Sequence, residues 1–450
     1  MTRQSRALAL ASTALSLATL AYAAGGFNIR ADRGESRTEF KSPNGEAEVC
    51  IIPKHFPGAE DEYPKKAGEK EAKLCAIDFY GKSGPNQDVP TATCPKLFST
   101  NPGLEIEQLP EGMSRDQYFN NECKKEQNRA GEKLAKFKQS ISCSYTPSIL
   151  AYYHVGMALG GSVEVPAAVI RTMDIAEHKK ITAFARKFAK DTIAQTWASW
   201  SSAEANPASY SRHDRVFTDD SRQIYGALSQ NPKGENKYSE INAGLNGFLG
   251  SQGWANVRSD KTAAQIAGTT LESAAQKIIQ MKDIVNMLVM DYVFAQQDRF
   301  GNIAEQDQVY SLVTNDKGKL SVKKDKKKKD TQLQPGQVVV KEMLLKDNDC
   351  GMRQDENKVK QNKMLEQIRH MAPKNYKKLM QFAQDVTKPE IAAYLKNELL
   401  LTSDDVKDLQ NNTIAAAKII KGLCDAGKLK LDLDLEAHLR GEDQSKNKCE

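Results

Sequence analysis

The sequence has no C-x-x-C pair and no histidine at zinc-finger distance from its cysteines, which argues against a structural zinc site. No internal repeat is visible. Beyond the N-terminus there is no apolar run near the roughly 18 residues that a membrane span requires, which excludes a multi-pass membrane protein. Charge of one sign is also scarce: 64 Lys+Arg against 58 Asp+Glu leave +6. Without a basic stripe, nucleic acid is not an expected partner. What is there is ordinary globular composition, 40% hydrophobic and 27% charged, against a largely disordered chain. A length of 450 residues suits about three average domains or one large two-lobed enzyme.

Arg3 and Arg6 precede an uncharged stretch from Ala7 to Tyr22, and Ala21-Tyr22-Ala23 offers the small-x-small pattern of signal peptidase. Residues 1–23 therefore read as a signal peptide, which predicts an exported protein, periplasmic or secreted, with no transmembrane segment in the mature chain. The alternative is an uncleaved anchor, for which the stretch is weakly hydrophobic. The eight cysteines are an even set, five of them within the first 150 residues. In an exported chain they read as disulfides of open connectivity.

Residues 24–130 form a cysteine-containing region of short strands and loops, with apolar runs at Val49–Pro53 and Leu74–Tyr80. Lys133–Lys138 predicts a strand, Tyr145-Thr146-Pro147-Ser148 opens a helix that Gly160-Gly161 stops, and Val163–Met173 is β-rich. This strand–helix–strand unit marks 131–178. From 179 to 450 the pattern is mainly helical: Ala183–Trp200, then a polar stretch at 200–268 read as an irregular insertion, then a long buried helix over Thr270–Gln297. A hairpin over Val309–Val313 and Leu320–Val322, a lysine run at 323–330 read as a solvated loop, and a strand at Val338–Leu345 follow. The C-terminus is helical, opening at Lys388-Pro389-Glu390 and at Thr402-Ser403-Asp404-Asp405.

One order of residues carries chemistry: a buried helix into Asp298-Arg299-Phe300-Gly301-Asn302, a hairpin, then a strand into Asp347-Asn348-Asp349-Cys350-Gly351. Phosphoryl transfer needs a carboxylate at the attacking hydroxyl, hard oxygen ligands for Mg²⁺, and a cation on the phosphates. Asp298 suits the first role. Asn302, Asp349 and Asp347 suit the second, and Lys138, with Lys136 in reserve, the third. Gly351 permits a sharp turn after the metal-binding acid. Taken singly, Asp298 can be a helix terminator paired with Arg299, and 347–349 a calcium-type or solvent loop.

The run Met290–Ile303 resembles the catalytic loop of atypical kinases: the phosphatidylinositol-kinase-like, HipA-like and Fam20-like branches of the protein-kinase-like fold. Phe137-Lys138-Gln139 and Ser148–Tyr153 resemble their nucleotide-lysine strand and following helix, Val165-Pro166 and Val169-Ile170 the strand pair after it, and Leu344–Gly351 their Asp-x-Gly metal segment. The match covers 133–174 and 270–353. Asn302 follows Asp298 by four positions where the family has five, and Phe300 takes the place of a common histidine. Ser148 stands where those kinases carry a lysine-pairing glutamate, so that pair is expected to be missing or rebuilt from Glu132 or Glu164. No clear glycine-rich phosphate loop precedes Lys133; Gly81–Gly84 and Pro102-Gly103 are the nearest candidates.

The resemblance implies an α+β, two-lobed protein-kinase-like fold with a β-rich N-terminal lobe and a mainly helical C-terminal lobe. It implies an exported kinase using ATP with Mg²⁺ or Mn²⁺ on a hydroxyl acceptor, on a protein in preference to a lipid or sugar. Transfer of AMP is left open by the same residues. The contrasting expectation is a pseudokinase without turnover or a disulfide-stapled exported binding protein.

Overall fold

A computed structural model describes residues 27–28, 36–81, 90–125, 128–161, 163–314, 316, 318–327, 332–352 and 357–449. The expected signal peptide, 1–23, lies outside these residues. Strands β1 (Ser36–Lys41), β2 (Ala47–Ile52), β3 (Thr91–Pro95), β4 (Leu104–Gln108), β5 (Glu132–Lys138), β6 (Ala168–Asp174) and β7 (Gln223–Gln230) form one sheet, ordered β1-β2-β6-β7-β5-β4-β3. Every neighbouring pair in it is antiparallel. Strands β8 (Glu235–Lys237), β9 (Ala304–Thr314), β10 (Leu320–Lys326) and β11 (Gln337–Leu344) form a second antiparallel sheet in which β9 pairs with all three others. The molecule is thus mixed α+β, with the larger sheet toward the N-terminus and helices concentrated in the C-terminal half.

Period-two alternation explains β5: Ala135 and Phe137 are buried on one face, and Lys136 and Lys138 emerge on the other. The helix Thr146–Ala158 follows, with Pro147 in its first turn, where a missing N–H costs nothing. It is apolar all round and buried along its length, as a helix enclosed on every side must be. Gly160 and Gly161, at φ of 103° and 58°, end it as the sequence predicts.

Several expectations are corrected. Leu74 and Cys75 close the helix Ala67–Cys75, and Ile77–Tyr80 form no strand. The single helix expected over Ala183–Trp200 is two, Ile175–Phe188 and Asp191–Ala205, broken where Asp191 takes φ of 50°. Residues 200–268 are not an irregular insertion: they supply β7, at the centre of the larger sheet, and β8 of the smaller one. β7 is QIYGALSQ, and with both neighbours in place its inward residues are covered without strict alternation. The lysine run is not simply a solvated loop, since Lys323–Lys326 end β10 and Lys327 pairs with Asp307 at 2.8 Å; residues 328–330 lie outside the described ones.

Disulfides join Cys50 to Cys75, Cys94 to Cys123, Cys143 to Cys350 and Cys424 to Cys449, and no free cysteine is found among the described residues. Such a set fits an exported protein. No helix among the described residues is long and apolar enough to cross a membrane.

The long helix Leu271–Val293 opens on a capping box of Thr270 and Ser273, and Ile278, Ile284, Met287 and Leu288 are buried in the central core. Asp283 on this helix accepts the Met343 N–H of β11 at 2.9 Å. Burial, aided by nearby Glu342, pushes its carboxyl up to about 8. A carboxyl raised on folding stabilises the native state below its unfolded value near 4, and that contribution is lost as pH climbs through 8. Asp283→Asn keeps the acceptor oxygen and removes the titration. Denaturant unfolding between pH 5 and 8 should show a flatter stability profile in this variant, by a few kcal/mol, than in the parent.

Candidate functional site

The two sheets meet where β11 ends. Glu164, ahead of β6, bridges Leu344, and the Leu345 N–H donates to the Glu164 carbonyl at 2.8 Å. The segment 346–351 is thereby laid across the start of the Thr146–Ala158 helix. The Tyr145 N–H donates to the Asp349 carbonyl at 2.8 Å, and the Ser148 hydroxyl donates to the Asn348 carbonyl at 2.6 Å. Gly351 is required here: a Cβ would lie 2.5 Å from Ser148 Oγ and 3.0 Å from the Phe294 carbonyl oxygen. The Cys143–Cys350 disulfide ties the same segment to the loop that follows β5.

Lys138 Nζ reaches this segment from β5, donating to Asp349 Oδ1 at 2.8 Å and Asp347 Oδ1 at 3.4 Å. Neither Glu132 nor Glu164 rebuilds the missing lysine partner. Glu132 pairs with Lys233, Glu164 lies 3.9 Å from Lys70, and the Ser148 hydroxyl is committed to the main chain. Lys136, Lys138, Asp347 and Asp349 line a narrow cleft open to solvent, with Ile149, Val165 and Pro166 as an apolar wall.

The loop after the long helix is laced to the same segment: Gln297 N–H to the Cys350 carbonyl at 3.2 Å, and Met352 N–H to the Phe294 carbonyl at 2.6 Å. Asp298 is held by its own N–H on Gln296 Oε1 at 3.2 Å, and its carboxylate has no hydrogen bond or ion pair among the described residues. Asn302 donates its amide to the Asp298 carbonyl at 3.0 Å, and no bond joins it to Asp347 or Asp349. Ala295, Asp347 and Met352 all take left-handed backbone, at φ of 50°, 53° and 61°. Such conformations cost on the order of 1–3 kcal/mol each and gather where a constrained geometry is maintained.

Arg299 turns away from Asp298. Its side chain is 1% exposed and forks onto Asp291, which is fully buried: Nε to Oδ2 at 2.9 Å and Nη2 to Oδ1 at 3.0 Å. It also donates to Asn348 Oδ1 at 2.7 Å and to the Lys346 carbonyl at 2.8 Å, clamping both ends of the Asp347 turn. Tyr152 completes the cluster by donating to Asp291 Oδ1 at 2.6 Å.

Charge shapes the site. Burial opposes the Lys138 ammonium, but Asp349 and Asp347 hold its pKa above the ordinary value. Burial would raise the Asp347 carboxyl; Lys138, Lys136, Lys96 and Lys346 together hold it far below the usual carboxylate range. Asp298 moves the other way, raised by burial and by the neighbouring Asp349 and Asp347, as suits a proton acceptor. Lys96, half-buried beside Lys138 and Lys136, is pushed down to about 8 by burial and by those two charges.

The structure therefore brings Lys138, Asp347 and Asp349 into contact, with Lys136 in the same pocket and Asp298 within electrostatic reach. No three His, Cys, Asp or Glu side chains converge as a metal cage among the described residues. Asp349 Oδ2 is nonetheless buried without a hydrogen-bond partner, a donor oxygen that a cation would satisfy. Mg²⁺ commonly takes only one or two carboxylates and completes its shell with phosphate and water. The sequence reading missed the Arg299–Asp291 clamp, Lys96 and the Cys143–Cys350 bridge. An aspartate on the buried stripe of this helix was a usable signal, because a buried carboxyl must either find a cation, as Asp291 does, or be pushed toward its neutral form, as Asp283 is. No protein-family model matches the chain, and no curated protein shows significant similarity to it.

Proposed function

We propose that the chain is an exported, two-lobed, kinase-like phosphotransferase that moves the γ-phosphate of ATP to a hydroxyl, on a protein in preference to a lipid or sugar. The observation that carries the reading is the Lys138–Asp349 contact, with Asp349 Oδ2 left buried and unpartnered. It joins a strand lysine to an Asp-x-Gly acid 211 residues away. The order of lysine strand, helix, strand β6, long helix, Asp298, hairpin and Asp349 supports it; of the expected strand pair, Val169-Ile170 lie in β6 and Val165-Pro166 lie in no strand.

In this reading Lys138 and Lys136 bind phosphate oxygens, and the Ile149–Val165–Pro166 wall receives the base. Asp349 and Asp347 would hold Mg²⁺ or Mn²⁺, with Asn302 offering its amide oxygen, and a bound ion would supply positive charge against the phosphates. Asp298 orients the acceptor hydroxyl and takes its proton as the new P–O bond forms and the bond to the ADP leaving group breaks. Its raised pKa and unencumbered carboxylate fit that role. A non-catalytic nucleotide binder is the second reading, favoured by the tie of Asn302 to the Asp298 main chain.

Millimolar ATP with Mg²⁺ or Mn²⁺ is expected to raise the melting temperature, because a ligand that binds only the folded state must stabilise it. No shift with either metal overturns both readings. Asp298→Asn is expected to retain the shift while transfer of label from γ-labelled ATP falls about 10²–10⁴-fold. A parent that shows the shift without any transfer selects the non-catalytic reading.

A further inference from the structure

Lys96 stands one residue beyond β3, and the ladder extends to it: its N–H donates to the Gly103 carbonyl at 2.9 Å. Pro95 pairs with Leu104, and Leu104 with Phe137. Lys96, Gly103 and Lys138 therefore lie in one row across three adjacent strands, and residues directly opposite one another share a face. Gly103 carries no side chain, and none fits: a Cβ would stand 2.8 Å from the Phe137 carbonyl oxygen and 3.1 Å from Lys138 Cγ. Two lysine stems thus rise from one face with bare backbone between them, and Lys136 is two residues back on that face.

The Lys96 ammonium has no hydrogen bond or ion pair among the described residues. Its neighbours are committed elsewhere: Asp349 and Asp347 to Lys138, and Glu105 to Arg129 and Lys133. A half-buried ammonium beside two others is unfavourable until an anion arrives. Its loop is nevertheless fastened, because the Asn101 amide donates to Cys143 Sγ at 2.9 Å and Cys350 Sγ at 3.3 Å. The loop bearing Lys96 is in this way pinned to the segment bearing Asp349.

We propose that Lys96 is a third phosphate-binding residue of this site, engaging the terminal phosphates of a nucleoside triphosphate alongside Lys138. The inference rests on the nucleotide reading above. It also gives the Pro102-Gly103 candidate a part in phosphate binding: its loop supplies a side-chain cation where glycine-rich loops supply backbone amides, while residues 82–84 of the other candidate, Gly81–Gly84, lie outside the described ones.

Calorimetric titration with ATP, AMP and inorganic tripolyphosphate, each with Mg²⁺, tests it on the parent, Lys96→Met and Lys96→Arg. Lys96→Met is expected to bind ATP and tripolyphosphate at least tenfold more weakly and AMP unchanged, with a ligand-free melting temperature equal to or above the parent's. Lys96→Arg should restore most of the loss. Parent-like ATP affinity in Lys96→Met overturns the assignment and leaves the nucleotide reading standing. A lowered melting temperature with uniform loss of all three ligands also overturns it, as a structural role. If the parent binds tripolyphosphate but not ATP, the nucleotide reading fails while weaker tripolyphosphate binding by Lys96→Met still supports Lys96 as an anion ligand.

Discussion

Arg299→Ala is expected to destabilise the protein by about 3–5 kcal/mol, the range for removing one partner of a buried ion pair. The loss is large because Asp291 is fully buried and its carboxyl would be left with only the Tyr152 side chain to satisfy it. Asn348 Oδ1 and the Lys346 carbonyl lose donors in the same step. Arg299→Lys keeps the charge but not the planar fork, so it should fall between parent and alanine. In the double variant Asp291→Asn/Arg299→Met no buried charge is left uncompensated, and part of the stability should return. Denaturant unfolding of the four proteins checks this. If Arg299→Ala costs no more than a surface substitution, the clamp is not holding the Asp347 turn.

Replacing Cys143 and Cys350 together by serine should cost about 5 kcal/mol from loop closure alone, since the bridge spans 207 residues of sequence. The Cys424–Cys449 bridge, spanning 25 residues, provides a comparison at about 3.5 kcal/mol. The two should differ more sharply in function. Cys350 neighbours Asp349, and both sulfurs of its bridge accept from Asn101 in the Lys96 loop. Loss of this bridge is therefore expected to shrink the ATP-induced thermal shift, while loss of Cys424–Cys449 lowers the melting temperature and leaves the shift intact. Equal effects on the shift would mean that the bridge acts on global stability alone.

Much of the local structure was legible because it depends on neighbours in sequence. Thr146-Pro147 starts a helix and Gly160-Gly161 ends it whatever packs around them, and the alternation in Lys133–Lys138 marks a strand with Lys136 and Lys138 on one face. The hairpin of β9 and β10 was readable from Asn315-Asp316-Lys317-Gly318 standing between two apolar runs. β7 was not, because a strand covered on both sides loses the alternation that identifies it, and its polar surroundings masked a short apolar run. The lysine run misled for the opposite reason. Its charges were visible, but the partners, Asp307 and Glu342, come from other strands.

Residue type and order alone determined that a strand lysine, an aspartate after a long helix and an Asp-x-Gly acid are available to a phosphate chemistry. Only the tertiary structure decided who meets whom. Lys138 finds Asp349 across 211 residues, Arg299 finds Asp291 instead of Asp298, and Cys143 closes on Cys350 instead of on a nearer cysteine. The reason is physical: propensity and periodicity act over a few residues, whereas the partner of a buried charge is set by which surfaces the core brings together.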